Sequence, residues 1–370
     1  MGWLRDTIFR LMPHATTPGL RRIGNPGPDD PVLVTGNFTL TVRRMERELQ
    51  GYDVWLLVAN SRGINVWCAA GGGHFTHHDV IAAVRASRLA ERVSHRRLVL
   101  PQLAATGVEP RLIQDATGFE GHWGPARLED LHEFLDRGCK VTKKQRLMRF
   151  PAWERAEMAT MWAVPVAAIA ALVLTFAAGG RVAAAAAAVV ALEVYGIFLV
   201  LPGVPIVGWR KLITFAAAVL LSSGAAVGAL ALTGGVGAGA IVILSLTAAV
   251  TVAVLSIDLA GSTPWYPSSI NSLGNHFHLE LITERCTGAA ECVKVCPRDV
   301  LHMDGKNRVV DIARPDSCLL CGACIVQCPD DALQFRFEDG RVVEPAVVRT
   351  TRLNMLGRRT VAVDAEARHG

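Results

Sequence analysis

Four long apolar stretches constrain the fold of this chain more than any other feature. They are Thr160–Ala178, Val182–Leu201, Leu212–Leu232 and Ala238–Ile257. Because a helix of about 20 apolar residues spans the hydrocarbon core of a bilayer, the sequence predicts an α-helical transmembrane domain over residues 159–257. The mean hydropathy of +0.31 over 370 residues is too high for an ordinary soluble enzyme.

The distribution of basic residues predicts the orientation of these helices. A basic cluster lies in and beside the segment 141–158, which we interpret as a juxtamembrane linker, and consists of Lys140, Lys143, Lys144, Arg146, Arg149 and Arg155. Arg210 and Lys211 lie in the second connection, whereas the third, around Gly234, has no charge. The positive-inside rule therefore predicts a multi-pass protein of the cytoplasmic (inner) membrane. Four spans place both soluble parts in the cytoplasm.

Other broad classes are disfavoured. The net charge is only +5, and no stripe of Lys and Arg interleaved with aromatic residues suggests nucleic acid as a partner. Met1–Thr17 lacks the continuous apolar region of a secretory signal. Seven of the nine cysteines lie in one region with metal-ligand spacing, which favours a reducing compartment.

The segment 31–140 alternates apolar strand patterns with helical patterns, after an N-terminal lead over residues 1–30. Val32–Thr35, Val54–Ala59 and Leu98–Leu100 are predicted strands. This alternation predicts an α/β domain with a parallel, Rossmann-like sheet flanked by helices.

Three polar residues follow these strands and are expected at one edge of the sheet. They are Asn37, Cys68 and Gln102. Ligands of open α/β sheets bind at the carboxyl ends of the strands, so Cys68 is placed where a cofactor would lie. A buried structural cysteine is the alternative for this position.

An internal repeat occupies residues 279–340, between a predicted linker over 258–278 and a tail over 341–370. Cys286 and Cys318, Cys292 and Cys324, and Cys296 and Cys328 are each separated by 32 residues. This pattern predicts an α+β two-cluster bacterial ferredoxin domain. Zinc is the alternative for paired cysteines, but the ferredoxin run that ends in Cys-Pro occurs twice.

In this motif the fourth cysteine of each run ligates the opposite cluster. The second cluster is therefore assigned Cys318, Cys321, Cys324 and Cys296, and the first is assigned Cys286, Cys292 and Cys328. Ala289 stands at the missing fourth position of the first cluster. That cluster is [3Fe–4S], or [4Fe–4S] with a non-cysteine ligand, or absent.

The heptapeptide Asn65-Val66-Trp67-Cys68-Ala69-Ala70-Gly71, with residues 31–37, 93–103 and 117–119, carries a family resemblance. It resembles the cap-helix motif of the membrane-bound corrinoid protein of bacterial mercury methylation, which is related to the corrinoid iron–sulfur protein of the acetyl-CoA pathway. The repeat resembles the ferredoxin partner of that protein, here fused to it. The resemblance implies a cobalamin-type corrinoid with Cys68 as the lower axial ligand of cobalt. The residues expected to bind the corrinoid are Asn37, Asn65, Val66, Trp67, Ala69, Ala70, Gly71 and Gln102.

The resemblance also implies a function: corrinoid-dependent methyl transfer, as in mercury(II) methylation, with the ferredoxin re-reducing cobalt. The implied partners are a methyl-tetrahydrofolate-linked methyltransferase and a low-potential electron donor. Three departures concern residues: Gly72 replaces a lysine of the family, Ala289 replaces a cysteine, and residues 329–370 contain no cysteine. The family is described with five spans, against four here. The alternative is therefore a corrinoid and iron–sulfur electron-transfer or methyl-carrier membrane protein that acts on another acceptor.

Overall fold

The computed structural model describes residues 7, 10, 12–201, 203–205, 209–258, 265, 277–353 and 359–362. The chain divides into two compact units. One contains the long apolar helices, and the other, which we call the soluble unit, combines Pro13–Met148 with the described residues from 265 onward. The predicted linker 258–278 and the end of the tail lie largely outside the described residues.

The first half of the soluble unit is built on a five-stranded sheet. Its strands are β1 (Gly19–Ile23), β2 (Val32–Gly36), β3 (Val54–Ala59), β4 (Arg97–Leu100) and β5 (Glu120–Trp123), in the order β1-β3-β2-β4-β5. Strands β2 to β5 are parallel, as predicted, but β1 pairs antiparallel with β3. The predicted lead 1–30 therefore contributes an edge strand, and the sheet is mixed. Without β1, the entirely buried strand β3 would be an exposed apolar edge.

Helices cover both faces of this sheet. They are α1 (Thr39–Glu48), α2 (Val66–Gly71), α3 (His77–Ala86), α4 (Pro110–Thr117) and α5 (Leu131–Asp136). Residues of α2, α3 and α4 pack on one face, and residues of α1 and α5 pack on the other. The carboxyl ends of the four parallel strands consequently share one edge, which carries the loops after β2, β3, β4 and β5.

The second half of the soluble unit has an internal repeat in its backbone as well as in its cysteines. Its elements are β6 (Phe277–Leu281), α10 (Glu291–Val295), β7 (Leu301–Asp304), β8 (Val309–Ile312), α11 (Ala323–Val326), β9 (Leu333–Phe337), β10 (Val342–Val343), α12 (Pro345–Thr350), β11 (Thr351–Leu353) and β12 (Arg359–Ala362). The starts of β6, α10 and β7 recur 32 residues later as the starts of β8, α11 and β9. The predicted tail 341–370 is partly structured, because β10 extends the sheet beside β9 and α12 packs near α11.

The other unit contains four helices that are long and apolar enough to cross a membrane, as predicted. They are α6 (Ala152–Ala178), α7 (Gly180–Val200), α8 (Lys211–Leu232) and α9 (Ala238–Asp258). Helix α6 begins inside the predicted linker 141–158, directly after Pro151, whose backbone is extended. A proline is compatible with the start of a helix, and the residues that follow it are helix-compatible. Many large apolar side chains point outward, among them Phe176, which is 86% exposed. Glu193 of α7 is buried and accepts a hydrogen bond from Ser222 Oγ of α8 at 2.8 Å.

The repeat generates a stability prediction at two equivalent positions. Ala290 has φ +62°, and Gly322, 32 residues later, has φ +79°. A left-handed conformation costs a residue with a Cβ about 1–2 kcal/mol. Glycine avoids this cost, but it loses more conformational entropy on folding than alanine does, which offsets about 0.5–1 kcal/mol of the gain. We therefore expect Ala290→Gly to raise the free energy of unfolding by about 0.5–1 kcal/mol, and the matched Gly322→Ala to lower it. The urea midpoint measured by circular dichroism checks this; a lower midpoint for Ala290→Gly would contradict it.

Candidate functional site

Cys68 lies in the first turn of the short helix α2, held by the residue that caps this helix. Asn65 Oδ1 accepts a hydrogen bond from the backbone N–H of Cys68 at 3.0 Å. The amide Nδ2 of the same side chain donates to Cys68 Sγ at 3.3 Å. One asparagine therefore caps the helix and orients the sulfur.

The helix buries one face and presents Cys68 on the other. Val66, Ala69 and Ala70 are buried against the sheet, whereas Cys68 is exposed. Three of the predicted corrinoid contacts thus attach the helix to the core and do not line the site. The buried structural role considered for Cys68 is excluded.

The surface beside the sulfur is open at Gly71. Gly71 lies one turn beyond Cys68 on the same side of the helix, and a Cβ added to Gly71 would have no atom within 4 Å. Asn65 and Trp67 are half-buried beside it. An exposed thiol beside the uncovered Gly71 fits the approach of a large ring such as a corrin.

Asn37 is buried and supports the site from below. Its Nδ2 donates to the Thr16 carbonyl oxygen at 3.1 Å. Its Oδ1 accepts from the backbone N–H groups of Ser61 and Gly63 at 2.8 and 3.0 Å. The prediction that Asn37 contacts a cofactor is therefore replaced by a positioning role, because its polar atoms fix the loop between β3 and α2.

Gln102 faces the ferredoxin half, a placement that differs from the predicted cofactor contact. The residue is buried, and its Nε2 donates to the carbonyl oxygens of Arg146 and Val295 at 2.8 and 3.3 Å. Gln327 Nε2 donates in the opposite direction, to the carbonyl oxygens of Ala105 and Val108, at 2.8 Å each. Ala105 and Val108 lie in the segment Gln102–Val108, which we call the rim loop. Sequence reasoning missed this contact because nearly 200 residues separate its partners.

The rim loop contacts the second cysteine set on one side and the Cys68 helix on the other. Ala105 packs in a small apolar cluster with Val295 and Ala323, and Cys321 packs against this cluster. On the other side, a Cβ added to Gly107 would lie 2.8 Å from the carbonyl oxygen of Ala70. The side chains of this part of the rim loop are small: Ala104, Ala105, Thr106 and Gly107.

The second cysteine set fits an iron–sulfur cluster. Cys296, Cys318, Cys321 and Cys324 line one cavity, whose apolar walls are formed by Leu279, Val300, Leu301, Leu319 and Phe335. The backbone N–H groups of Val300 and Leu320 point at the sulfurs of Cys296 and Cys318, each at 3.4 Å. Burial raises the pKa of the Cys318 thiol to about 11. A strongly cationic centre would displace the thiol protons and bind these sulfurs as thiolates.

The first cysteine set has three cysteines, Cys286, Cys292 and Cys328, and lacks a fourth. Burial, followed by the neighbouring Cys328 and Cys286, raises the pKa of Cys292 to about 12. The backbone N–H of Ala332 points at Cys328 Sγ at 3.3 Å, which repeats the arrangement at Val300. Ala289 stands at the fourth position and is exposed.

A buried polar group that sequence reasoning missed lies where α3 meets the ferredoxin half. His77, the first residue of α3, is only 6% exposed. Its Nδ1 lies 3.8 Å from Glu109 Oε1, and Arg349 Nε lies 3.7 Å from Glu109 Oε2. Burial raises the pKa of Glu109, while Arg349 opposes the rise. These residues strengthen the same contact between the two halves.

Comparisons with known proteins agree with this division. Residues 4–135 match the family described as CO dehydrogenase/acetyl-CoA synthase delta subunit. Residues 285–332 match the 4Fe-4S dicluster domain. The matches do not bear on mercury, which stays a prediction.

Individual relatives match the N-terminal part of the chain. The acetyl-CoA decarbonylase/synthase complex subunit gamma of Archaeoglobus fulgidus is 43% identical over 118 residues, which are 30% of this chain and 24% of that protein. Its counterpart in Methanopyrus kandleri is 38% identical over 127 residues, covering 34% and 27% of the two chains. The chain thus spans about a quarter of the length of these curated relatives.

The double role of Asn65 generates a prediction for the reactivity of Cys68. Asn65→Asp keeps a good helix cap but replaces the N–H donor to sulfur with a carboxylate. A thiolate that loses a donor and gains a neighbouring negative charge is destabilised, so we expect iodoacetamide to alkylate Cys68 about tenfold more slowly, which corresponds to about 1.4 kcal/mol. Mass spectrometry of the Cys68 peptide measures the rate. Asn65→Ser, which caps without a charge, should fall between; a wild-type rate in Asn65→Asp would refute the role.

Proposed function

We propose that this chain is a membrane-anchored methyl carrier that holds a corrinoid at Cys68 and re-reduces it through its own ferredoxin half. A bound corrinoid supplies a nucleophilic cobalt that accepts and passes on methyl groups and that needs low-potential electrons after oxidation. The observation that carries the proposal is the rim loop, which packs between the exposed Cys68 helix and the four-cysteine cavity. The similarity to subunits of the acetyl-CoA decarbonylase/synthase complex supports it.

Cys68 would ligate cobalt from the protein side. Its sulfur is exposed, and the N–H donated by Asn65 stabilises the thiolate that a metal requires. Because Asn65 also caps α2, and Asn37 fixes the loop before it, the sulfur is held by a rigid local structure. The open surface beside Gly71 leaves space for the ring.

We infer that the second cysteine set delivers the electrons. Cys321 packs against the cluster formed by Ala105, Val295 and Ala323, and Gly107 of the same loop lies against Ala70 of α2. An electron passing from a cluster in this cavity to the Cys68 helix would cross the rim loop. Gln102 and Gln327, which bond across this boundary, hold the rim loop against the ferredoxin half.

The contacts of the soluble unit support an even number of membrane crossings. Met148 N–H donates to the Pro297 carbonyl oxygen at 2.9 Å, and Gln102 contacts Val295. Residues before and after the four apolar helices therefore lie on the same side of any membrane that these helices cross. This favours four spans over five, and the basic residues beside the first helix favour the cytoplasmic face.

The central experiment compares Cys68→Ala with Cys139→Ala after anaerobic reconstitution with cobalamin. Cys139 is a partly buried cysteine of the same domain that packs against the other face of the sheet. We expect Cys68→Ala to lose the optical and EPR signature of thiolate-ligated cobalt and to bind cobalamin at least tenfold more weakly, while Cys139→Ala behaves as wild type. If Cys68→Ala leaves the cobalt spectrum unchanged, the axial-ligand role is wrong.

We propose mercury(II) as the acceptor of the methyl group. A carrier that serves another acceptor is the second candidate, and Gly72 and the cysteine-free segment 329–370 favour it. Incubating the methylated protein with a mercury(II)–thiol complex under reducing conditions separates the two. Methylmercury supports the first candidate, and an undiminished methyl–cobalt spectrum without product supports the second.

A further inference from the structure

The two cysteine sets differ at one ligand position. Cys321 completes the second set, and Ala289 occupies the equivalent place in the first, 32 residues earlier. The surroundings of Ala289 show whether the first set has lost its cluster or has kept it with another ligand.

The backbone around Ala289 keeps the shape of a cluster-binding loop. Gly288 and Ala290 both have positive φ, +76° and +62°, as do their counterparts Leu320 and Gly322, at +54° and +79°. A left-handed conformation is unfavourable for alanine, so Ala290 is held in it by its surroundings. The short 3₁₀ helix Thr283–Arg285 before the loop also recurs at the equivalent place, as Pro315–Ser317. The loop thus keeps the backbone conformation of its complete counterpart, while Ala289 lacks the thiol that Cys321 supplies.

The three remaining thiols stay together in this loop and its neighbour. Cys292 and Cys328 are buried, and Cys286 is half-buried. Cys286 packs against the apolar cluster that contains Cys292. The N–H group of Ala332 points at Cys328 Sγ, as that of Val300 does at Cys296 Sγ in the complete set.

The vacant position faces solvent, in contrast to its counterpart. Ala289 is exposed, whereas Cys321 packs against the Ala105 cluster. The nearby carboxylate of Glu291 pairs with Lys294 at 2.5 Å. The two cysteines outside the repeat, Cys68 and Cys139, belong to the α/β half.

We propose that the first site holds a [4Fe–4S] cluster whose fourth iron, beside Ala289, binds a small thiolate from solution. Iron in such clusters is held by thiolates, and a low-molecular-mass thiol supplies the missing one. Binding is a ligand exchange: the thiol loses its proton to solvent, its sulfur bonds to iron, and a water molecule leaves, with no change in oxidation state. The proposal rests on the iron–sulfur domain and is independent of the corrinoid.

The test titrates 2-mercaptoethanol into the full-length protein, reconstituted anaerobically with iron and sulfide, freed of thiol and prepared without corrinoid. We expect the EPR spectrum of the dithionite-reduced protein to shift in a saturable manner. Native mass spectrometry should find one added thiol per chain. The Ala289→Cys variant supplies its own thiolate, so its spectrum should not respond, and its unchanged second-cluster signal serves as the internal reference.

Several outcomes would overturn the proposal. If added thiol does not change the wild-type spectrum, the fourth iron binds only water or is absent. If a [3Fe–4S] signal persists in the presence of excess iron, the fourth iron does not bind. An equal response in Ala289→Cys places the thiol elsewhere. None of these results affects the Cys68 experiment, so failure here leaves the proposed methyl-carrier function standing.

Discussion

The contact between the rim loop and the second cysteine set is the interaction on which the arrangement of the soluble unit depends. Two glutamines make it in opposite directions: Gln102 donates to a carbonyl of the ferredoxin half, and Gln327 donates to two carbonyls of the rim loop. Buried amides that satisfy backbone carbonyls are costly to separate, because each carbonyl would be left without a partner. The contact joins segments that flank four apolar helices, and so it constrains the path of the whole chain.

The same contact breaks the symmetry of the repeat. Val295 and Gln327 are equivalent positions, and both reach the rim loop, one through its carbonyl oxygen and one through its side chain. The two cysteine positions that the repeat also equates have different surroundings, since Cys321 lies at the contact and Ala289 lies in solvent. A missing ligand at the contact would leave a gap in the packing between the halves, whereas solvent can supply a ligand at the exposed position. The substitution thus occurs where its structural consequence is smallest.

Local signals made much of this structure predictable. The spacing of 32 residues between cysteines determines which elements repeat, and the buried strands β2 and β3 follow from short apolar runs. Non-local partners were not predictable. Strand β1 is recognisable only once β3 is known to need a neighbour, and Gln102 was assigned to a cofactor because its acceptor, Val295, lies far along the chain. The burial of His77 was not predictable either, because its partner Glu109 comes from another segment and Arg349 reaches Glu109 from the ferredoxin half.

A small number of groups determines the position of the Cys68 sulfur. Asn65 couples two requirements in one side chain, since the oxygen that starts the helix and the nitrogen that contacts the sulfur cannot move independently. The buried residues Val66, Ala69 and Ala70 fix the helix on the sheet, and Ala70 also touches the rim loop. Any shift of α2 would therefore change both the orientation of the sulfur and its separation from the cysteine cavity. Under the proposed function, a short helix held by apolar packing on the sheet and by contact with the rim loop would keep the orientation of the sulfur and its distance from the cysteine cavity fixed together. A flexible loop carrying the same cysteine could not do this.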